Sequence, residues 1–397
     1  MSIPWTFASA GEVIFGTGSL AQLGALCSGR NWQRALVVSD ANLAAAGVLD
    51  QALDSLHASS LEVHAFTETE AEPSTEMAAL AIADGASFAP EVVIGLGGGS
   101  NMDLAKVVAA VLACGGEASD YFGFDRVPRP TLPLVCVPTT AGSGSEVSHS
   151  AVLTDVAAEM KVSMQSRFLR PAVSLIDPAL AVSCPRQVTA ESGIDALVHA
   201  IEAVTAIDAH AMPAGNTYSG RTPLTDALSK QAISLVGKFL VRAVEVPDDL
   251  EARAGMASAA LLAGMAFSNA GVAVAHALEY PLGGTLHCSH GGGNGMLLPF
   301  VMRFNLQVRQ ETFAGIAHLL GEETADLAPE DAAERAIVAV ETLSGRIGIP
   351  SSIRKLGGRK DQLAGFAEKA FSVKRLMQVS PRPVTLADLK SILQSAF

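Results

Sequence analysis

The chain is poor in basic residues and has no closely spaced cysteines. Its 397 residues include 27 Lys and Arg against 40 Asp and Glu, which gives a net charge of −13. A nucleic-acid-binding protein needs a basic surface that faces the phosphates, so this balance argues against a nucleic-acid partner. The five cysteines are odd in number and form no Cys-x-x-Cys motif. We therefore expect reduced thiols and no disulfide framework.

The sequence also lacks an export signal and a convincing membrane span. No basic segment followed by an apolar one opens the chain, so we expect a cytoplasmic protein. Residues 254–275 carry no charge and are about as long as a membrane span. Ser258, Ser268 and Asn269 interrupt this run, and no second run of the kind exists. We predict a buried helix or helix pair and no membrane partner.

The length and the 49% hydrophobic content suffice for two domains with separate cores. Short β-rich runs alternate with helical patterns in the first half, which predicts an α/β fold with a parallel sheet covered on both faces. Strands are expected at residues 34–40, 61–66, 92–96, 134–138, 151–154 and 173–178, and helices at residues 43–56 and 75–85. From Pro185 onward helical periodicity dominates. We predict an α/β domain over residues 1–185 and an all-α domain over residues 186–397.

A glycine loop, residues 97–99, follows the strand predicted at residues 92–96. Gly97, Gly98 and Gly99 would let backbone N–H groups approach an anion, and a helix starting near Asn101 would add the positive end of its dipole. The pattern is neither GxGxxG nor a P-loop. A phosphate site and a strand-to-helix turn without a ligand therefore remain two interpretations of this loop.

Two further features suit a nucleotide. Asp40 ends the first strong strand, where an acid accepts hydrogen bonds from an adenosine ribose and repels a 2′-phosphate; a helix cap is the alternative. Residues 139–146, named here the hydroxyl loop, follow another strand and are dense in hydroxyls and glycines. Such a loop could bind a nicotinamide and its ribose, and a plain surface loop is the alternative.

A candidate metal site lies in the second half. Asp195 and His199 are four residues apart, so a helix would place both side chains on one face. His276 ends a long apolar run and His290 opens a Gly-Gly-Gly turn, so two further imidazoles could complete a set of one oxygen and three nitrogen ligands. Such a set suits iron or zinc. A solvated helix face is the alternative for the first pair, but its surroundings are apolar and a buried charge needs a partner.

Four ordered motifs resemble those of the iron-containing, or group III, alcohol dehydrogenases. They are Gly97-Gly-Gly-Ser-Asn-Met-Asp-Leu-Ala-Lys106, Pro138-Thr-Thr-Ala-Gly-Ser-Gly-Ser-Glu146, Asp195-x3-His199 and His276-x13-His290-Gly. The resemblance spans nearly the whole chain, and the order and intervals of the motifs make it far more specific than any one of them. It implies a dinucleotide-binding α/β domain followed by an all-helical domain that holds the metal.

The resemblance also implies roles for individual residues. The metal, Fe²⁺ or alternatively Zn²⁺, would be held by Asp195, His199, His276 and His290. The pyrophosphate of the nucleotide would be surrounded by Gly97, Gly98, Gly99, Ser100 and Asp103, and the nicotinamide side would be lined by Thr139, Thr140 and Ser143. In this family an acid at the position of Asp40 goes with NAD rather than NADP.

Two departures from the family pattern matter. Many members carry a histidine four residues after the third ligand, thought to relay the alcohol proton, whereas this chain has Tyr280. We expect Tyr280 to shape the substrate pocket and to pass a hydrogen bond toward water; simple packing is the alternative. The chain also carries a longer segment at residues 207–225. Both features are similar to the hydroxyacid–oxoacid transhydrogenase branch, and Arg221 in this segment is a candidate partner for a carboxylated substrate.

We predict an NAD-linked, metal-dependent oxidoreductase that transfers a hydride between nicotinamide and a primary alcohol, an aldehyde or a small hydroxy acid. The metal would act as a Lewis acid toward the alcohol oxygen. One alternative is a transhydrogenase that keeps its nucleotide while two substrates exchange a hydride. A non-catalytic nucleotide sensor is another, and the intact ligand set speaks against it. We also expect a homodimer.

Overall fold

The computed structural model describes residues 4–397, which divide into two compact units. Residues 9–184 form the α/β unit, and residues 185–397 together with residues 4–8 form the helical unit. The sequence prediction assigned all of residues 1–185 to the α/β domain, whereas residues 4–8 belong to the helical unit. The difference arises because Asn269 exchanges two hydrogen bonds of 2.9 Å with the backbone of Ala8.

The α/β unit alternates strands with helices along the chain. Its strands are β1 (Glu12–Phe15), β2 (Arg34–Val38), β3 (Glu62–Phe66), β4 (Val92–Gly97), β5 (Gly123–Phe124), β6 (Leu134–Pro138), β7 (Ser150–Asp155), β8 (Met160–Gln165) and β9 (Val173–Ile176). Its helices are α1 (Leu23–Ser28), α2 (Ala41–Ala45), α3 (Val48–Ala58), α4 (Thr75–Phe88) and α5 (Gly99–Cys114).

Six strands form one sheet in the order β1-β9-β6-β4-β2-β3, and every neighbouring pair is parallel. Strand β4 is buried along its whole length, as expected when both faces of a sheet are covered. In β2, Leu36 and Val38 join the core on one face of the sheet, whereas Ala35 and Val37 join the core on the other. The predicted α/β fold with a parallel sheet is therefore confirmed.

Several elements differ from the sequence prediction. The strand expected at residues 151–154 belongs to a second sheet, β5-β8-β7, in which β7 and β8 are antiparallel. The helix expected at residues 43–56 is two helices, α2 and α3, because Gly47 takes a left-handed φ of 72° between them. Strand β1, which pairs with β9 at the sheet edge, was not predicted.

Three neighbouring strands bring the nucleotide candidates to one edge of the sheet. Asp40 follows β2, the glycine loop begins at the last residue of β4, and the hydroxyl loop follows β6. These strands are adjacent and parallel, so their carboxyl ends share an edge. Gly97 and Pro138 are partners in the β4–β6 register. Open parallel sheets bind ligands at this edge.

The helical unit has no strand within residues 185–397. Its helices are α6 (Arg186–Thr205), α7 (Pro223–Glu245), α8 (Leu250–Ala270), α9 (Val274–Leu286), α10 (His290–Asn305), α11 (Gln310–Leu319), α12 (Pro329–Ile347), α13 (Leu363–Ser372), α14 (Lys374–Met377) and α15 (Leu386–Ser395). The predicted all-α fold of this half is confirmed. Helices α6, α9 and α10 carry the metal candidates.

The uncharged run at residues 254–275 falls in two helices. Helices α8 and α9 meet at an angle of 103°, with Gly271 at a φ of 106° between them. Both helices are largely buried. Among the described residues no single helix is long and apolar enough to cross a bilayer, although this bent pair reaches the required length and composition when its two helices are taken together.

Candidate metal centre

Three helices bring the four predicted ligands together. Asp195 and His199 lie one turn apart on α6, His276 lies near the start of α9, and His290 is the first residue of α10. One ligand atom from each of the four side chains lies within 4.8 Å of the others. The first three residues are buried and His290 is partly exposed. Residues distant in sequence thus form one cluster.

Glycines allow α10 to approach α6 closely enough to form this cluster. A Cβ atom at Gly291 would lie 2.0 Å from the carbonyl oxygen of Glu191, and one at Gly295 would lie 2.7 Å from the Ile194 side chain. The Gly-Gly-Gly sequence after His290 is therefore the first turn of a helix. The predicted turn there is wrong, because close packing rather than chain reversal requires the glycines.

Two buried glutamates hold two of the histidines. Glu202 on α6 accepts a hydrogen bond from Nδ1 of His276 at 2.7 Å, and it also accepts the backbone N–H groups of Ala273 and Ala275 at 2.8 Å. Glu279 on α9 lies 2.6 Å from Nδ1 of His290. Since a carboxylate can only accept, each Nδ1 carries the proton and each Nε2 keeps a lone pair.

Sequence reasoning missed these two glutamates. Glu202 lies three residues after His199 and Glu279 three residues after His276, each in an apolar stretch. An acid in such a stretch, one helical turn from a ligand, was the available signal. The partner of each could not be read from the sequence, because each glutamate contacts a histidine on a different helix rather than the histidine on its own helix.

The third histidine is held by stacking. The ring of Phe267 on α8 lies 4.1 Å from the ring of His199, nearly parallel to it. Nδ1 of His199 is 3.7 Å from Asp195, too far for a hydrogen bond. Asp195 accepts instead from the Asn294 amide at 3.0 Å. An aromatic face and an amide therefore complete the support of the cluster.

The cluster fits a metal ion. Nδ1 of His199 and Nε2 of His276 are buried and have no hydrogen-bond partner, and buried polar atoms normally have one. Burial lowers the pKa of His199 to about 4, against the opposing effect of Asp195. Burial would raise the pKa of Asp195, but electrostatic attraction from His199, His290 and His276 holds it below its usual value. A carboxylate and three neutral imidazoles are ligands that Fe²⁺ and Zn²⁺ accept.

Tyr280 lies one turn beyond His276 on α9. It is 5% exposed, and the Arg375 guanidinium lies 5.9 Å from the centre of its ring. Pro281 follows it inside the helix. The phenol therefore occupies a buried position on the same helix as the third ligand.

The glycine loop and the hydroxyl loop contact each other in the α/β unit. The N–H of Thr139 donates to the carbonyl of Gly97 at 2.9 Å. A Cβ atom at Gly99 would lie 2.9 Å from Cβ of Ser143, so only glycine permits this approach. Gly97 itself has a φ of 146°, a conformation that favours glycine. The two nucleotide candidates thus form one surface.

The start of α5 belongs to the same surface. Gly98 precedes the helix and faces Thr140, whose side chain would lie 3.5 Å from an added Cβ. The helix begins at Gly99, two residues earlier than expected. The Ser100 hydroxyl accepts the backbone N–H of Glu72 at 3.2 Å. Free N–H groups of the first helical turn are available here for an anion.

Asp40 is a helix cap with a second partner. One carboxylate oxygen accepts the backbone N–H groups of Asn42 and Leu43 and so caps α2. The other oxygen accepts the side-chain amide of Asn101 at 2.7 Å. Asn101 also donates to the carbonyl of Leu96. Asp40 therefore connects the ends of β2 and β4 across the sheet edge.

Asp103 points into the protein rather than into open space. Its carboxylate accepts the Ser145 hydroxyl at 2.5 Å and the Val152 N–H at 2.9 Å. The Lys106 ammonium lies 3.7 Å away. These contacts hold the end of the hydroxyl loop and strand β7 against α5.

Arg221 is engaged by two nearby acids, Asp226 and Asp208. Its guanidinium donates to Asp226 at 2.5 Å and lies 3.6 Å from Asp208. The candidate for binding a carboxylated substrate is therefore already neutralised in the structure.

Two family models cover most of the chain. Residues 10–178 match the model described as iron-containing alcohol dehydrogenase. Residues 189–397 match the C-terminal model of the Fe-containing alcohol dehydrogenase family. The boundary between the two matches falls where the helical unit begins.

Curated relatives and solved structures agree with the family models. The chain is 35% identical to the NAD-dependent methanol dehydrogenase of Bacillus methanolicus over 96% of this chain and 97% of the relative. It is 36% identical to the 1,3-propanediol dehydrogenase of Klebsiella pneumoniae over 96% of each chain. It is also similar to a crystal structure of 1,3-propanediol oxidoreductase, with a TM-score of 0.93, 34% identity and full coverage of both chains. The predicted family and enzyme class are thereby confirmed: the chain belongs to the iron-containing alcohol dehydrogenases, which are metal-dependent oxidoreductases.

Proposed function

We propose that this protein is an NAD-linked dehydrogenase that interconverts a short primary alcohol and its aldehyde with the help of Fe²⁺ or Zn²⁺. The cluster of Asp195, His199, His276 and His290 carries the proposal. A divalent metal held there would supply Lewis-acid polarisation of the alcohol oxygen.

The surrounding residues hold the four candidate ligands in the tautomers and orientations that a metal needs. Glu202 and Glu279 hold the protons on Nδ1 of His276 and His290, so neither Nε2 carries a proton and neither histidine needs a change of tautomer to bind a metal. Phe267 fixes the His199 ring by stacking. Because these supports are buried, the four donors need little reorganisation when a metal enters.

The nucleotide part of the proposal is supported by the paired loops. We assign the pyrophosphate to the glycine loop and the first turn of α5, including Ser100, and the nicotinamide side to Thr139, Thr140 and Ser143. Backbone N–H groups at a helix start attract phosphate oxygens. Asp103 supports this surface indirectly, because its carboxylate accepts hydrogen bonds from Ser145 in the hydroxyl loop and from Val152 in β7.

Asp40 supports the choice of NAD over NADP, since its carboxylate at the end of β2 would repel a 2′-phosphate. Replacement by glycine would also remove the cap of α2, so Asp40→Ser is the better test, because serine keeps a capping oxygen without the charge. Steady-state kinetics with both nucleotides should show a higher relative efficiency with NADP. An unchanged ratio would mean that Asp40 acts only as a cap.

Metal removal tests the whole proposal. The protein should be stripped with a chelator, reloaded with Fe²⁺ or Zn²⁺, and assayed for NAD reduction with a panel of primary alcohols and diols, the substrates suggested by the names of the relatives. We expect turnover only after reloading. His276→Ala should lose metal yet keep NADH binding, while His318→Ala, an exposed histidine of the same unit, should keep both. Turnover by metal-free protein would refute the proposal.

The transhydrogenase remains the second candidate because of Tyr280 and residues 207–225. The ion pairs of Arg221 weaken it, since they leave no free cation at this arginine for a carboxylate. Absorbance in the reduced-nicotinamide band separates the two. A dehydrogenase reduces added NAD, whereas a transhydrogenase exchanges its substrates without net reduction.

The proposal includes a homodimer in the cytoplasm. The five cysteines are free thiols, which suits a reducing compartment. Strand β1 lies at the sheet edge and its Phe15 is 40% exposed, which leaves backbone groups and apolar surface for a second copy. Light scattering on the purified protein should give twice the chain mass of 40.9 kDa.

A further inference from the structure

A lysine is buried completely in the α/β unit without a role in the chemistry. Lys106 on α5 is 0% exposed. Its ammonium donates to the Ser145 hydroxyl at 2.7 Å, to the Ser148 hydroxyl at 3.0 Å and to the Ser150 carbonyl at 2.7 Å. An ammonium has three donors, so all three are used. Burying an ammonium is costly unless all its hydrogen bonds are made. We therefore expect these three contacts to stabilise the local structure.

These contacts fasten the hydroxyl loop to α5. The Ser145 hydroxyl accepts from Lys106 and donates to Asp103, which lies one turn earlier on the same helix. Asp103 also accepts the N–H of Val152 in β7. One turn of α5 therefore binds both the end of the hydroxyl loop and strand β7 through hydrogen bonds.

The same helix begins in the glycine loop. At its first residue, Gly99, the helix meets Ser143, and two turns later Lys106 meets Ser145. The hydroxyl loop is thus held against α5 at two levels. The distance between the glycine loop and the hydroxyl loop is set by one rigid element.

We propose that Lys106 is a positioning residue for the nicotinamide nucleotide, which fixes the hydroxyl loop in the conformation that binds it. This inference rests on the proposed function. Without the ammonium the loop would populate other conformations, and the fraction competent to bind would fall, which raises the apparent Kd by the same factor. Lys106 and Ser145 are 0% and 3% exposed, so neither side chain reaches a nucleotide directly.

The test compares NADH binding with thermal stability in the full-length protein. Fluorescence titration should give a Kd for Ser145→Ala and for Lys106→Met that is at least about fivefold above wild type. The KM of the alcohol should stay unchanged, because the metal ligands belong to the helical unit. Ser145→Ala keeps the lysine and its charge, so it carries the test if Lys106→Met does not fold.

Leu56→Ala is the matched control. Leu56 is fully buried on α3 in the core on the face of the sheet away from α5, so its truncation should lower Tm and leave the Kd for NADH unchanged. The inference is overturned if Ser145→Ala and Lys106→Met also keep the wild-type Kd and lose only Tm. If wild-type protein itself fails to bind NADH, the proposed function falls, and this inference falls with it.

Discussion

At the scale of single residues, the site depends on which nitrogen of each imidazole carries a proton. The tautomers of His276 and His290 are set by hydrogen bonds to Glu202 and Glu279, which lie on other helices. A wrong tautomer would place a proton on the nitrogen that has to bind the metal. Two carboxylates outside the candidate ligand set thus fix the tautomers of His276 and His290.

Glu279→Gln should weaken metal binding by about 10- to 100-fold. The amide can turn its NH₂ group toward His290, which would move the histidine proton to Nε2. Competition against a chelator of known affinity measures the effect on the metal-free protein. Glu341→Gln, at an exposed carboxylate paired with Arg303, is the control. Equal metal affinity in the two variants would show that Glu279 does not orient the ligand.

Variants of Tyr280 test whether its phenol takes part in the transfer of the alcohol proton to water. A phenol exchanges protons near pH ~10 and an imidazole near pH ~6.5. Tyr280→Phe should slow alcohol oxidation on the order of tenfold and change its pH profile. Tyr280→His should move the profile toward neutral pH. If both variants keep the wild-type profile and only their Tm falls, the residue serves for packing beside Arg375.

At the scale of helices and strands, small residues decide how the elements meet. The approach of α10 to α6 depends on glycines that lie against the backbone and side chains of α6. Helix propensity alone disfavours glycine inside a helix, so the sequence pattern was interpreted as a turn.

Gly291→Ala should separate the two helices. The added Cβ would lie 2.0 Å from the Glu191 carbonyl oxygen, and overpacking of this kind costs about 1–3 kcal/mol. We expect a lower Tm and reduced metal content. Gly315→Ala on α11 is the matched control, because its Cβ would meet nothing within 4 Å, and it should stabilise the protein by about 1 kcal/mol. Normal metal content in Gly291→Ala would contradict the packing argument.

The success of the sequence prediction differed between these scales. The clustering of the four candidate ligands was foreseen because Asp195 and His199 have helical spacing in apolar surroundings, and the two candidate nucleotide loops were foreseen because each follows a strand. The contacts of Lys106 were not predicted, since a lysine within a helix is usually solvated. Contacts such as Glu202 with His276 span 74 residues, and no local pattern encodes them.

At the scale of the whole molecule, Glu146 gives stability a pH dependence. It is buried at the end of the hydroxyl loop, where it interacts with Lys106 on α5 and with Cys136 on β6. Burial raises its pKa from 4.5 to about 7, against the lowering effect of Lys106. The folded protein therefore holds this proton more tightly than the unfolded chain, and stability is lost as pH rises from about 4.5 through about 7.

The loss should be on the order of 3 kcal/mol. Urea unfolding between pH 5 and 8 measures it, with Glu146→Gln as the reference, since an amide mimics the protonated acid and does not titrate. The difference between the two proteins isolates Glu146, because the histidine cluster is common to both. Parallel pH profiles would show that Glu146 keeps an ordinary pKa.

The association of residues 4–8 with the helical unit sets an order of events during synthesis. Ala8 and its partner Asn269 are 261 residues apart. At ~5–20 residues per second, the N-terminal segment waits roughly 10–50 seconds before its partner leaves the ribosome. The α/β unit is fully synthesised within that interval and is free to fold without residues 4–8. Residues 4–8 thus emerge before the α/β unit and dock only after it has been synthesised.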